Sequence, residues 1–191
     1  MLTVTQWRLT CKLNYQQAST SLRRSLVNIL RAFVPSPHSL LNIVTRHHAV
    51  FGGEVALAFM LRDATYVPGH LDIYTSDFEF DAVCDAILDD HCLRELIGYP
   101  IYTNNTVFDA LCRLVSCTLT ICTTQGKIIY IHQSYTSSAV APISRASCTA
   151  LSNFVTAFSF GCSHPRLTFQ RRALLADLDF SPSAHHEPQH S

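Results

Sequence analysis

The first half of the chain carries a helical pattern of apolar residues that is interrupted by two prolines. Apolar side chains recur at helical spacing over 19–33, with arginines between them, which predicts an amphipathic helix. Pro35 and Pro37 end this pattern, because proline lacks the amide donor and biases the preceding residue toward extended backbone. A second short helix is predicted over 39–48.

The stretch 49–74 combines strand and helix patterns around two glycines. Three apolar residues lead into Gly52 and Gly53, where the missing side chains permit positive φ and predict a turn. Apolar residues then repeat at helical intervals as far as Arg62. Alternating polar and apolar residues over 70–74 predict a half-buried strand.

The pattern after this stretch predicts further helices and one hairpin. The clearest helical period runs over 80–97, and a short helix capped by Thr106 is predicted over 106–113. Two strand-like runs, 115–122 and 127–132, flank a Gln-Gly pair and predict a β-hairpin. A last helix with one buried face is predicted to begin at Pro142 and to continue through Phe158.

These elements predict a single α+β domain over 1–180. Its C-terminal part, 140–175, is expected to be helical, apart from a short strand or extended arm over 166–172. The tail 181–191 has too few apolar residues to order itself, so disorder is expected there.

Composition narrows the classes of partner. The chain has 191 residues, of which 48% are hydrophobic and 15% charged, and its 14 basic and 14 acidic residues balance. No overall field therefore draws it to nucleic acid or to an anionic membrane. The N-terminal residues lack the continuous apolar core of a secretory signal, and no run reaches the roughly 20 apolar residues that a bilayer requires. We therefore expect an intracellular protein, in the cytoplasm, that does not enter membranes.

The cysteines do not indicate a disulfide framework. All eight lie within apolar runs of a chain without an export signal, which favours buried, reduced thiols. The regular interval between Cys112, Cys117 and Cys122 matches no zinc motif, and Cys162 with His164 lacks a second pair of ligands.

The order of strand, Gly-Gly, helix and acid-bearing strand resembles the nucleotidyltransferase superfamily over roughly residues 38–132. The nearest likeness is to abortive-infection and toxin-type members, whose turn runs Gly-Gly-Thr-Ala-Leu and whose next strand runs Asp-hydrophobic-Asp. The chain is also similar to uncharacterised basidiomycete fungal proteins with a similar FGG…LRD…LDIY run and a similar SFGCSHPRLTFQRRALL ending.

The resemblance implies a small mixed sheet with a β-hairpin, flanked by helices, and a phosphate-binding turn. In that superfamily, strand carboxylates hold two Mg²⁺ ions, because Mg²⁺ prefers oxygen ligands in octahedral geometry. Asp72 matches the second strand acid and is the candidate metal ligand, and Asp72 with His70 is the candidate catalytic pair. Gly52, Gly53 and Glu54 are the candidate nucleotide-binding residues, at the start of a helix.

Three departures from the family pattern predict that transfer has been lost. His70 replaces the first strand acid, and the hairpin offers no third acid. Glu54 stands where the family has Ser or Thr, and its charge would repel a triphosphate. We therefore expect a catalytically degenerate binding or regulatory module, whose partner is a nucleotide or a protein and which has no certain cofactor.

Two alternatives stay open on the sequence. One is an active transferase that uses Mg²⁺ in a rearranged site, with Asp72 as ligand, His70 as ligand or base, and a further acid such as Asp63 or Asp77. The other is an unrelated α+β protein-interaction domain, in which Gly53 and Asp72 would lie on unconnected faces.

Overall fold

The fold is built around a mostly antiparallel sheet with helices packed on it. The computed structural model describes residues 19–63, 65–90, 93, 97–105 and 113–175, and within these ranges the sheet has seven strands. The α+β class is thereby confirmed, and the sheet is larger than the sequence predicted.

The helices and strands follow the chain in an alternating order through the first half and in a strand-rich order after it. Two short 3-10 helices, Pro142–Arg145 and Thr149–Leu151, precede the last strands. The other elements are α1 (19–30), α2 (Pro37–Arg46), β1 (Val50–Gly52), α3 (Gly53–Leu61), β2 (His70–Thr75), α4 (Phe80–Asp89), β3 (Ile97–Asn104), β4 (Val115–Thr123), β5 (Ile128–Ser134), β6 (Asn153–Val155), β7 (Phe160–Cys162) and α5 (Pro165–Phe169).

The strand order β3-β4-β5-β2-β1-β6-β7 places β2 in the middle of the sheet. β2 pairs antiparallel with β1 and parallel with β5, and the other neighbouring strands pair antiparallel. The predicted β-hairpin is confirmed as β4 and β5, with Gly126 at φ 73° in the connection. Because β2 is central, its side chains meet those of two neighbouring strands.

The two faces of the sheet differ in chemistry. Successive side chains of a strand point to opposite faces. One face belongs to the apolar core beneath the helices, where burial of each Leu or Ile side chain contributes about 1.5–3 kcal/mol. Its central strands contribute Leu71, Ile73, Leu119, Ile121, Ile129 and Ile131, all buried. The other face, called the polar face below, carries His70, Asp72, Tyr74, Thr118, Tyr130 and His132.

The helix predicted from Pro142 through Phe158 is wrong. Only two short 3-10 helices form there, and β6 and β7 follow. β6 pairs with the edge of β1 at Phe51 and Val155, so it supplies hydrogen-bond partners to a buried strand. Pairing with a strand that is distant in sequence decides the structure of this segment, although the local spacing of its apolar residues favours a helix. The C-terminal part 140–175 is consequently not mainly helical.

The helix predicted over 80–97 ends at Asp89, and Ile97 already belongs to β3. Asp90 has extended backbone, accepts a hydrogen bond from the amide of Leu93 at 3.1 Å, and accepts another from the hydroxyl of Ser39. An aspartate side chain that bonds a nearby amide competes with the helical hydrogen bonds, which ends the helix early.

Some predictions concern residues outside the described ranges. The helix over 106–113 lies outside them except for Arg113, and so does the tail 181–191. The predicted strand or arm over 166–172 is wrong, because Pro165–Phe169 is the helix α5. In the described part of the chain, no helix combines the length and the apolar character needed to cross a membrane.

Candidate functional site

Asp72 lies at the centre of the polar face, between β1 and β5. Its pairing partners are Gly52 on β1 and Tyr130 on β5, and it is only 6% exposed. Gly53, the first residue of α3, has φ 56°, and the Asp72 carboxylate occupies the space that a Cβ atom at Gly53 would need. The glycine turn and the acid on β2, which the sequence predicted to share a site, are therefore in direct contact.

Two histidines bind the two oxygens of this carboxylate. The Nε2 atom of His70 lies 3.1 Å from Oδ2 of Asp72, and the Nε2 atom of His132 lies 3.1 Å from Oδ1. With Asp72 ionised, Nε2 of His132 carries a proton and donates a hydrogen bond to Oδ1, whereas His70 makes a close imidazole–carboxylate contact with Oδ2. Both oxygens of this buried carboxylate therefore have a polar partner within the protein.

Each histidine also has a second polar neighbour. The Nδ1 atom of His132 lies 3.0 Å from Oγ1 of Thr118, whose hydroxyl donates to it when His132 is neutral. The Nδ1 atom of His70 lies 3.6 Å from Oε2 of Glu54, which is beyond hydrogen-bond length. That same oxygen accepts a 2.6 Å hydrogen bond from the amide of Gly69. Glu54 therefore closes the loop before β2.

Tyrosine rings hold His132 in place. The rings of Tyr74 and His132 stack at 4.7 Å with an interplanar angle of 29°, and Tyr130 stacks on His132 at 5.8 Å. His70 meets Tyr130 edge to face at 5.6 Å. Burial, with a smaller contribution from the charge of Asp72, raises the pKa of Tyr74, so its phenol stays protonated and can donate at neutral pH.

The predicted glycine turn is a direct passage from strand to helix. β1 ends at Gly52 and α3 begins at Gly53, and both glycines are buried. A Cβ atom at Gly52 would lie 2.5 Å from Cε2 of Tyr74. The structure thus surrounds both glycines with protein atoms.

The other candidate acids make local contacts. The Asp63 carboxylate bonds Thr65 and, at 2.7 Å, the guanidinium of Arg171, and the hydrogen bonds from Thr65 contribute most to lowering the pKa of Asp63. Asp77 accepts a hydrogen bond from the amide of Phe78. These contacts hold both acids in loops.

The donor set around Asp72 does not fit Mg²⁺. A magnesium site needs several oxygen ligands, whereas the neighbours that hold Asp72 are imidazole nitrogens. Nowhere in the described ranges do three or more His, Cys, Asp or Glu side chains form an arrangement suited to a metal ion.

His132 is the site residue that sequence reasoning missed. The superfamily pattern has a third acid on a neighbouring strand, whereas here the residue beside Asp72 on the hairpin is a histidine. A usable signal existed, because Tyr130 and His132 alternate with buried isoleucines along β5. Period-two polarity of this kind places both side chains on one face.

The prediction that the cysteines are buried is correct for Cys84 and wrong for the other four described ones. Cys117, Cys148 and Cys162 are half-buried, and Cys122 is exposed because it points away from the core face that Ile121 occupies on the same strand. Burial raises the pKa of Cys84 to about 12. All five are free thiols.

The chain was compared with known proteins at three levels. No protein-family model matches it, and no curated protein and no solved structure does so either.

Proposed function

We propose that this chain is a nucleotidyltransferase-like domain that has lost metal-dependent transfer and serves as a binding or regulatory module. The contact between Gly53 and Asp72 supports the ancestry, because the family arrangement requires the acid-bearing strand to lie beside the glycine-led helix.

The single observation that carries the loss of transfer is the environment of Asp72. Each of its oxygens lies 3.1 Å from an Nε2 atom, one of His70 and one of His132. Transfer to or from an α-phosphate in this superfamily relies on carboxylates that share two metal ions. In this site imidazoles stand where the other carboxylates would be needed, and a magnesium ion would have to displace them.

Radiolabelled nucleotides test the proposal. The full chain is incubated with each nucleoside triphosphate, Mg²⁺ or Mn²⁺, and protein, nucleotide or RNA acceptors, and label in the acceptor or the chain is counted. We expect none above a reaction without protein. Label transfer that Asp72→Asn abolishes and Asp85→Asn leaves unchanged would overturn the proposal, because Asp85 is an exposed acid on α4.

A further inference from the structure

A cavity of about 260 Å³ opens beside the stacked rings of Tyr74 and His132. It lies beyond Tyr74 along β2, and neither Gly52 nor Gly53 lines it. This separates it from the helix start at which the sequence predicted nucleotide binding. Its polar walls come from Tyr74, Asn105, Arg113, Thr118, His132, Arg145 and Ser147.

Two arginines give this cavity its charge. Arg113 immediately precedes the hairpin and Arg145 ends the first 3-10 helix, so residues distant in sequence meet at one opening. Among the described residues, no carboxylate forms an ion pair with either guanidinium, and none of the residues that line the cavity is acidic. The lining that the described residues provide therefore has a net positive charge.

The ring nitrogens of His132, on the inner wall of the cavity, already have hydrogen-bond partners within the protein. His132 uses Nε2 on Asp72 and Nδ1 on Thr118, so neither nitrogen is available to a ligand. The groups left to contact a ligand are the two guanidinium groups, the Ser147 hydroxyl, the phenol of Tyr74 and the remaining capacity of the Asn105 amide, whose nitrogen also donates to the carbonyl of Val115. All of these can donate hydrogen bonds, which is the chemistry that recognises an oxyanion.

We propose that Arg113 and Arg145 bind the phosphate group of a small phosphorylated molecule in this cavity. A phosphate monoester carries about −1.5 to −2 charges at neutral pH, which matches two guanidinium groups better than a single carboxylate does. The volume lies just below the roughly 300–1,000 Å³ typical of pockets for drug-sized ligands, so the ligand is small. The site depends on the cavity alone and not on the proposed ancestry.

Calorimetric titration of the full chain at constant ionic strength tests this proposal. The probes are inorganic phosphate, adenosine monophosphate, adenosine and acetate. We expect saturable binding of the two phosphate probes and none of adenosine or acetate. Tighter binding of the nucleotide would assign a phosphate ester as the ligand, and equal binding would assign the inorganic ion.

Variants of the two arginines test whether the phosphate probes bind in this cavity. Arg113→Ala and Arg145→Ala should each weaken binding about tenfold or more, because hydrogen bonds to charged groups are among the strongest in proteins. Arg24→Ala removes the same charge from an exposed position on α1 and should leave binding unchanged. Arg113→Lys should weaken binding less than Arg113→Ala does. Unfolding curves of each variant verify the fold.

Three results would overturn the proposal: no saturable binding of either phosphate probe, equal binding of acetate, or an Arg24→Ala effect as large as that of Arg113→Ala. These results are independent of label transfer. Phosphate binding without transfer supports both proposals, transfer without binding at Arg113 and Arg145 overturns both, and the remaining combinations overturn one of them.

Discussion

The carboxylate of Asp72 fills the space in which a side chain at Gly53 would lie. Gly53 has φ 56° at the first position of α3, a conformation that L-residues with a Cβ atom rarely adopt. The buried acid and the positive φ therefore both require glycine at position 53. This relationship connects the start of a helix with the middle of the sheet.

Replacing Gly53 should consequently destabilise the fold by more than backbone strain alone. Gly53→Ala should lower the free energy of unfolding by about 3 kcal/mol or more, because strain adds to the displacement of a hydrogen-bonded carboxylate. Gly126→Ala is the matched control, since Gly126 also has positive φ but has open space around it. It should lose only about 1 kcal/mol. Urea denaturation measures both, and equal losses would contradict the contact.

Removing the Asp72 carboxylate should leave His132 without its hydrogen-bond acceptor and His70 without the carboxylate that it contacts. We expect Asp72→Ala to lower the free energy of unfolding by about 1–3 kcal/mol. Asp85→Ala, at an exposed helix position, should change it by no more than about 0.5 kcal/mol. In nitrogen-edited NMR spectra, the Nε2 proton signals of both histidines should shift together in Asp72→Ala. A shift in one histidine alone would show that the carboxylate does not bridge them.

The two histidines should differ in their contribution to stability. The side chain of His132 is 17% exposed and stacks on two tyrosines, whereas that of His70 is 37% exposed and meets one tyrosine edge. His132→Ala should therefore lose about 2–3 kcal/mol of unfolding free energy and His70→Ala about 1 kcal/mol. Thermal and urea unfolding of both variants compare them. A larger loss at His70 would contradict the stacking geometry.

Cys84 should make the protein less stable in alkaline solution. Its thiol has a pKa of 9.0 in the absence of the fold and about 12 when buried. Between these values the unfolded state binds fewer protons than the folded state, so the free energy of unfolding falls as pH rises, by up to about 1.4 kcal/mol per pH unit. Below about pH 9 both states keep the proton and the effect vanishes.

Denaturation in reductant at about pH 8 and about pH 10 tests this sign. Cys84→Ala should reduce the fall in unfolding free energy between the two pH values by roughly 1 kcal/mol. Cys122→Ala serves as the control, because Cys122 is exposed and should leave the fall unchanged. An unchanged fall in Cys84→Ala would contradict burial of the thiol.

The sequence alone determined the elements whose signal is local. Period-two alternation identified β2, and two strand-like runs flanking a Gln-Gly pair identified the β4–β5 hairpin. Helical spacing identified α1 through α4, together with the glycine-led start of α3. These patterns show which face of each helix or strand is buried, and residues close together in the sequence are enough to reveal them. The end of α4 differs from the prediction because the Asp90 side chain, and not the spacing of the apolar residues, sets where the helix ends.

Tertiary structure alone decided the strands and the partners that depend on distant pairing. β6 forms because β1 needs a hydrogen-bonding neighbour, and nothing in its own short sequence requires it. His132 reaches Asp72 only because β5 lies parallel to β2 in a register that sets it beside Tyr74. Strand order and register are properties of the whole sheet. The sequence could thus locate Asp72 and Gly53, whereas the histidine that completes the site depended on the fold.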